Sequence, residues 1–178
     1  TQGAPTNTRG FLVGVSDLSG EEYTSYDTRG RIRWTVKRIE DPTHGYLTAY
    51  KTEFGYDALD RVVERIFPDN DRVTYAYNAR GLLESIPGGP TGQIIQDIDY
   101  AASGQKEFIA YGNDTTTNYS YDPRFRMIGL QTDSPTEPLI HYGYTFDGAS
   151  IIRRIDDLRP LSAVPLADPR RNTQIFNY

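Results

Sequence analysis

The sequence predicts an all-β protein built from tandem β-hairpins that lie side by side in one continuous, curved antiparallel sheet. Tyr and Phe are abundant, with 14 and 7 copies against one Met, and such stiff aromatic side chains suit sheets. The 16 Gly and 11 Pro residues are dispersed between short runs of alternating polarity, which is typical of frequent turns. A short phrase, complete at 26–32, recurs along the chain.

The repeated phrase reads Tyr-Asp-Thr-Arg-Gly-Arg-Ile at its first complete copy. Asp27 can accept hydrogen bonds from the backbone N–H groups that follow it, and Gly30 supplies the left-handed residue after a type I turn. The phrase therefore predicts a hairpin corner. In the strand that leaves the corner, Ile32, Trp34 and Val36 alternate with polar residues, so we expect them to share one face of the sheet.

Counted from the aromatic residue, copies of the phrase begin near 6, 26, 56, 77, 100, 121, 146 and 178. We therefore predict a single repeat array over 1–178, truncated at its C-terminus because the sequence stops on the aromatic residue of a new copy. The first copy is degenerate, with Thr6 and Asn7 in place of Tyr and Asp. The residues that form the structural repeat signature are Tyr26, Asp27, Gly30, Tyr56, Asp57, Tyr77, Asn78, Gly81, Tyr100, Gly104, Tyr121, Asp122, Phe146 and Asp147.

The copies that begin at Tyr56, Tyr100 and Tyr121 depart from the signature at the corner itself. Asp60 replaces Gly, which we expect the corner to tolerate because Asp visits positive φ more readily than most residues. The copy at Tyr100 has Ala101 instead of Asp. Phe125 stands where Gly is expected, and since a bulky residue is strained at positive φ, we predict a different geometry for this corner.

The position six residues after each aromatic predicts the core stripe. It is apolar in six of the seven copies that reach it, namely Leu12, Ile32, Val62, Leu83, Lys106, Met127 and Ile152. The segment 158–172 contains three prolines and is predicted to be a long loop.

The phrases at 26–32 and 77–82 resemble the YD repeat of the Rhs superfamily. The segments 121–126, 144–147, 155–157 and 168–174 are more specifically similar to the B/C components of insecticidal toxin complexes. The resemblance implies a long β-ribbon that spirals into a hollow shell or barrel around a toxic C-terminal polypeptide; eukaryotic teneurins use a similar barrel on the cell surface.

The same resemblance implies partners and a location. The partners would be the remaining repeats of the parent shell and an enclosed toxin polypeptide, in a secreted or cell-surface protein. The family's self-cleaving region carries Asp-Pro-x-Gly motifs. Here Asp41, Asp122 and Asp168 are each followed by Pro, but none has Gly in fourth place, so the cleavage site is not carried over.

Composition and charge exclude several other functions. A net charge of −5, with 24 acidic and 19 basic residues scattered along the chain, gives no basic stripe for nucleic acid. No apolar run is long enough to span a bilayer, and the first residues lack a signal pattern. The absence of Cys excludes disulfides and thiolate metal sites.

Candidate chemical groups are few. His44 and His141 have no nucleophile motif beside them, so we interpret His44 as a loop residue and His141 as a strand residue. The oxygen ligands of 69–71 and of Asp156 and Asp157 could hold Ca²⁺, but the glycine and distal Glu of a calcium loop are missing, and 69–71 reads better as a hairpin turn. We predict no catalytic residue, cofactor or metal.

Three interpretations of the function are open from the sequence, of which the third, a hydrolase, would need a cleft with a charged pair near His44 or His141. The first is a structural segment that encloses a toxic polypeptide by steric sequestration. The second is an adhesion or carbohydrate-binding module, which predicts exposed aromatic residues grouped in a groove. Since each hairpin depends on its neighbours, we also predict that free strand edges associate with one another.

Overall fold

The structure, a computed structural model, describes residues 4–40, 47–89 and 92–178, and all regular secondary structure in these ranges is β. The strands are β1 (Gly14–Asp17), β2 (Gly20–Tyr26), β3 (Ile32–Glu40), β4 (Leu47–Tyr56), β5 (Val62–Ile66), β6 (Arg72–Tyr77), β7 (Leu83–Gly88), β8 (Ile95–Tyr100), β9 (Lys106–Tyr111), β10 (Thr116–Tyr121), β11 (Met127–Asp133), β12 (Pro138–Phe146), β13 (Ile152–Asp157) and β14 (Gln174–Ile175).

The chain divides into two compact units, Thr1–Ala76 with Pro87–Gly92 and Tyr77–Ile86 with Gln93–Tyr178. In the first unit, β1 to β6 follow one another in chain order, and each strand is antiparallel to the next. In the second unit, β8 to β14 are ordered in the same way, with β7 antiparallel to β8 at Ile86 and Ile95. The prediction of an all-β chain made from consecutive antiparallel hairpins is confirmed.

A β-bulge recurs at the corners of these hairpins. The register shifts between Ser25 and Tyr26, and the same shift occurs just before Tyr56, Tyr100, Tyr121 and Phe146. A type I turn followed by a left-handed residue produces such a bulge, which increases the local twist of the strands. The recurring phrase therefore encodes one hairpin geometry.

The core of the first unit lies on the face predicted from the alternation of β3. Trp34 and Val36 are buried, with 8% and 1% of their surface exposed. Ser25 lies directly across from Trp34, is fully buried, and accepts a hydrogen bond from the Thr6 N–H at 3.0 Å. Ile32, which was expected on the same face, lies next to the bulge and remains 38% exposed.

The core of the second unit contains a row of three buried side chains on three adjacent strands. Ile98, Ile109 and Thr117 are paired in register on β8, β9 and β10, and all three are buried. The Thr117 hydroxyl is 2.9 Å from the hydroxyl of Thr132 on β11. A buried hydroxyl requires a partner, and this pair supplies one.

The predicted loop at 158–172 is confirmed as a segment without strands, and it is organised around buried charge. Asp157 and Arg159 form an ion pair at 2.6 Å, and their side chains are 0% and 9% exposed. The Arg159 guanidinium holds the pKa of Asp157 far below its usual range. Arg171 donates hydrogen bonds to the carbonyl oxygens of Asp157, Arg159 and Val164, which closes the loop over Val164, a residue only 3% exposed.

Some predictions meet the structure only in part. β7 extends through Pro87 and Gly88, although Pro and Gly residues generally predict turns. His44 and the Asp-Pro pair at Asp41 lie outside the described residues. Within the described ranges, no helix has the length and apolar character needed to cross a membrane.

Candidate functional site at the repeat corners

Each repeat corner begins with a short hydrogen-bonded backbone loop. In the first complete copy, the Gly30 N–H donates to the Asp27 carbonyl at 3.1 Å, and the Asp27 N–H donates to the Arg31 carbonyl at 2.9 Å. The same pair of bonds recurs in the copies that begin at Tyr56, Tyr77, Tyr100, Tyr121 and Phe146. The corner at Tyr100 retains both bonds without an Asp, so the backbone alone can form the loop.

The Asp side chain adds a second layer of hydrogen bonds. Asp27 Oδ1 accepts from the N–H groups of Arg29 and Arg31 at 2.8 and 3.0 Å, and its Oδ2 accepts from Arg31 Nε at 2.6 Å. Asp57 and Asp122 make the same three contacts with their own corners. Asn78 and Asp147 retain the two backbone contacts through Oδ1.

These contacts set the pKa of the corner carboxylates. Burial alone would raise the pKa of Asp27, but the hydrogen bonds from Arg31 and Arg29 outweigh burial and leave the pKa lowered. The same balance lowers the pKa of Asp57 and of Asp122. At Asp147 the N–H of Ile151 is the largest cause of a lowered pKa. The corner hydrogen bonds therefore stabilise the ionised form of these carboxylates.

The fourth residue after the aromatic has positive φ in every complete corner. Its φ values are 80° at Gly30, 64° at Asp60, 77° at Gly81, 89° at Gly104, 62° at Phe125 and 67° at Ser150. The prediction that Asp60 is tolerated is confirmed. The prediction of a different geometry at Phe125 is wrong, because the Phe125 N–H still donates to the Asp122 carbonyl at 2.9 Å and Asp122 retains its full set of contacts.

Four of the signature tyrosines connect their copy to the preceding one. The hydroxyl of Tyr26 donates to the Leu12 carbonyl at 2.7 Å, and that of Tyr56 donates to the Ile32 carbonyl at 2.8 Å. Tyr100 and Tyr121 bond in the same way to Leu83 and Lys106, at 2.7 and 2.8 Å. Each acceptor stands six residues after the aromatic of the earlier copy. The position predicted as the core stripe thus provides the acceptor of a link between copies. The prediction that it forms the core is wrong, because none of its seven side chains is buried, and Leu12 and Ile32 are 69% and 38% exposed.

Arginines also connect neighbouring corners within a unit, a role that was not predicted from the sequence. Arg31 is paired with Asp27, and it also donates to the Asp57 carbonyl at 3.2 Å and to Asp60 Oδ1 at 2.6 Å. Its guanidinium lies 4.6 Å from the centre of the Tyr56 ring. The available signal was an Arg five residues after the aromatic in three copies, at Arg31, Arg61 and Arg126.

The second unit repeats this arrangement with a different aromatic residue. Arg126 is paired with Asp122, donates to the Asp147 carbonyl at 3.3 Å and to Ser150 Oγ at 3.2 Å, and lies 4.7 Å from the centre of the Phe146 ring. Phe146 has no hydroxyl, so the Arg126 contacts connect these two corners without a tyrosine link.

A second set of side chains also contacts the corner of the following copy. These side chains stand three or five residues after the aromatic of their own copy. Arg29 donates to the Ala58 carbonyl at 3.3 Å, and Arg80 donates to the Ala101 and Ala102 carbonyls at 2.9 and 3.0 Å. The remaining contacts join Arg124 to the Gly148 carbonyl and Gln105 to the Phe125 carbonyl. The corners of each unit therefore form a cross-linked row.

The other candidate residues have structural contacts. Asp69 Oδ1 accepts from the Asp71 N–H at 3.1 Å, which confirms the predicted hairpin turn. Asp156 is paired with Arg154, and Asp157 with Arg159. Within the described ranges, no cluster of three or more potential metal ligands is found.

His141 lies on β12, as predicted, beside a cavity of about 320 Å³ over Gly129 and Gly143. The residues that line this cavity include no Asp or Glu, so an acid that could orient the imidazole is missing there. The aromatic residues that line the cavity, Tyr119 and Tyr142, are half-buried, and the exposed aromatic residues Phe11, Tyr50, Phe125 and Tyr178 do not line it. The groove of aromatic residues expected for a carbohydrate-binding module is therefore not found at this cavity.

Hairpins in chain order whose corners are linked by recurring Tyr and Arg contacts define a tandem β-repeat protein. Comparison with solved structures gives matches of that kind. The chain is similar to a TcdB2–TccC3 complex and to the same complex with Cdc42, each with a TM-score of 0.74 and 24% identity over 84% of this chain. The Photorhabdus luminescens Tc holotoxin pore matches with the same values.

These matches cover 8% of the length of the solved chains. At this level of identity they show a shared fold. No protein-family profile matches the chain. No curated protein matches it either.

Proposed function

We propose that this chain is a wall segment of an Rhs-type shell that encloses a toxic polypeptide and keeps it from solvent until release. The observation that carries the proposal is the shared fold with Tc toxin complexes, at a TM-score of 0.74. The chain would act by steric exclusion, and its partners would be the neighbouring repeats and the enclosed polypeptide. The corresponding location is a secreted toxin component.

The geometry of the corners supports a role as a wall. Neighbouring copies within a unit are joined by a tyrosine hydroxyl, by guanidinium or amide donors, or by both, so the array can extend by adding copies without a new type of contact. The signature residues would then be structural, with Tyr as the link between copies and Asp as the centre of the corner.

The edges of the described strands also support extension. In the described part of the chain, β1 pairs only with β2 and β14 pairs only with β13. Unpaired N–H and C=O groups at such edges template further pairing. We propose that neighbouring repeats occupy these edges in the parent shell, and that the isolated chain associates through them; a single monomeric mass by light scattering across a wide concentration range would contradict self-association.

Protease protection tests the shell proposal. The longer polypeptide that contains this segment is treated with proteinase K, and we expect a fragment outside the repeat array to survive and to co-purify with the repeats. A variant with Tyr56→Leu and Tyr121→Leu, which removes two links between copies, should lose this protection. Tyr50→Leu, at a tyrosine 45% exposed, is the control. Complete digestion of every fragment outside the array in the unaltered protein would exclude sequestration.

A further inference from the structure

Arg65 on β5 is the residue that points to a further binding site. It lies directly across from Phe54 on β4 and from Val73 on β6. Its guanidinium is 5.3 Å from the centre of the Phe54 ring and 4.9 Å from the centre of the Phe67 ring. The cation is therefore held between two aromatic rings on an apolar part of the first unit, where Val73 is only 8% exposed.

The charge of Arg65 has no counterpart in the described part of the chain. Its Nε is buried without a hydrogen-bond partner, and no ion pair joins its guanidinium to any described carboxylate. Other arginines that lie over aromatic rings differ in this respect, since each is also paired with an acid: Arg31 with Asp27, Arg38 with Glu21, Arg126 with Asp122, and Arg153 with Asp147.

We propose that Arg65, Phe54 and Phe67 form a receptor for the carboxylate of an Asp or Glu side chain of a second polypeptide. The two ring contacts restrict the motion of the guanidinium, and an ordered guanidinium fork matches a planar carboxylate. The apolar surroundings strengthen the ion pair because they exclude water from it. The rings and Val73 also offer a surface for apolar residues on either side of the acid.

Charge balance favours a carboxylate over other anions. One unpaired guanidinium matches a single negative charge, whereas a phosphate dianion or a nucleic acid is normally bound by several cations or backbone N–H groups. The neighbouring Arg72 is already paired with Glu64. This inference rests on the first unit alone and does not depend on the shell proposal.

Nuclear magnetic resonance of the 178-residue chain tests the receptor. The Arg65 Nε–Hε signal is followed during titration with acetyl-Leu-Glu-Leu-amide, and with the Gln analogue as the uncharged control. We expect the Glu peptide to bind about ten- to a hundredfold more tightly than the Gln peptide, as a hydrogen bond to a charged group implies. Arg65→Met, which retains an apolar stem between the rings, should abolish the preference, and Arg65→Lys should weaken it.

Arg33→Gln is the matched control, because Arg33 is an exposed arginine in the same unit; it should leave the preference unchanged. Equal binding of the two peptides, or a preference that survives Arg65→Met, would overturn the proposal. Acetate binding as tightly as the Glu peptide would overturn the polypeptide assignment in favour of small anions. Tighter binding of inorganic phosphate would overturn the carboxylate assignment.

Discussion

Removal of a single hydroxyl tests whether the signature tyrosines link the repeat copies. Tyr26 is 9% exposed, and its hydroxyl donates to the Leu12 carbonyl at 2.7 Å. In Tyr26→Phe the ring remains stacked on Phe11, with the ring centres 4.6 Å apart in the unaltered chain, and only the hydrogen bond is lost. A net hydrogen bond contributes about 0.5–1.5 kcal/mol, so we expect the free energy of unfolding to fall by about 1 kcal/mol.

The assay is urea unfolding followed by the fluorescence of Trp34, the single tryptophan, which is buried in the same unit. With a denaturant slope of about 1–3 kcal/mol per M, the midpoint should fall by about 0.3–1 M and the slope should not change. Tyr26→Leu also removes the aromatic stacking, so we expect a total loss of about 2–3 kcal/mol.

Tyr75→Phe is the control for this experiment, since Tyr75 is a half-buried tyrosine of the same unit whose hydroxyl has no hydrogen bond to a described residue. Its midpoint should stay within experimental error of the unaltered chain. If Tyr26→Phe and Tyr75→Phe shifted the midpoint equally, the hydroxyl of Tyr26 would not be a link between copies, and the proposed role of the other signature tyrosines would fail with it.

Three further predictions concern charge and backbone strain. The pKa of Asp27 is lowered in the folded chain. Its contribution to stability is therefore complete above the unfolded pKa of about 3.9 and is lost as the pH falls through the lower folded pKa. A carboxyl-carbon titration with a midpoint at or above that of the unfolded chain would contradict this. Phe125 has a φ of 62°, so Phe125→Gly should stabilise the chain by about 1 kcal/mol in thermal unfolding. Gly81→Ala should destabilise it by about the same amount. Stability changes of equal sign in the two variants would refute strain at Phe125. Asp157→Ala leaves a buried arginine unpaired and should lower the free energy of unfolding by about 3–5 kcal/mol, measured by circular dichroism in urea. Asp168→Ala, at an ion pair whose arginine side chain is 65% exposed, should have a smaller effect. Similar losses of stability in the two variants would show that burial does not set the strength of the pair.

The sequence alone determined the type of hairpin. An Asp followed after two residues by Gly specifies a loop whose hydrogen bonds all lie within five residues, as at Asp27 and Gly30. The alternation of Ile32, Trp34 and Val36 fixed the face of β3, because side chains in a strand alternate between faces. Both signals are local, so they can be read without knowing which strand lies beside which.

The conformation of Phe125 could not be predicted from such local sequence signals. Residue preference alone argues against positive φ for Phe, yet the three hydrogen bonds to Asp122 and the bond from Gln105 to the Phe125 carbonyl hold the corner in the common geometry. The intrinsic cost of about 1–2 kcal/mol for an L-residue in this region is offset by contacts that require neighbouring strands to be in place.

Only the tertiary structure decided what the arginines do. Arg29 and Ala58 are separated by 29 residues in the chain, and Arg31 and Asp60 by the same number, so their contacts exist only after adjacent copies have paired. The buried pair of Asp157 and Arg159 and the unpaired cation at Arg65 likewise depend on which side chains the fold brings together. The physical reason is that a turn is specified by the dihedral preferences of its own residues, whereas the partner of a charge is specified by the position of another strand.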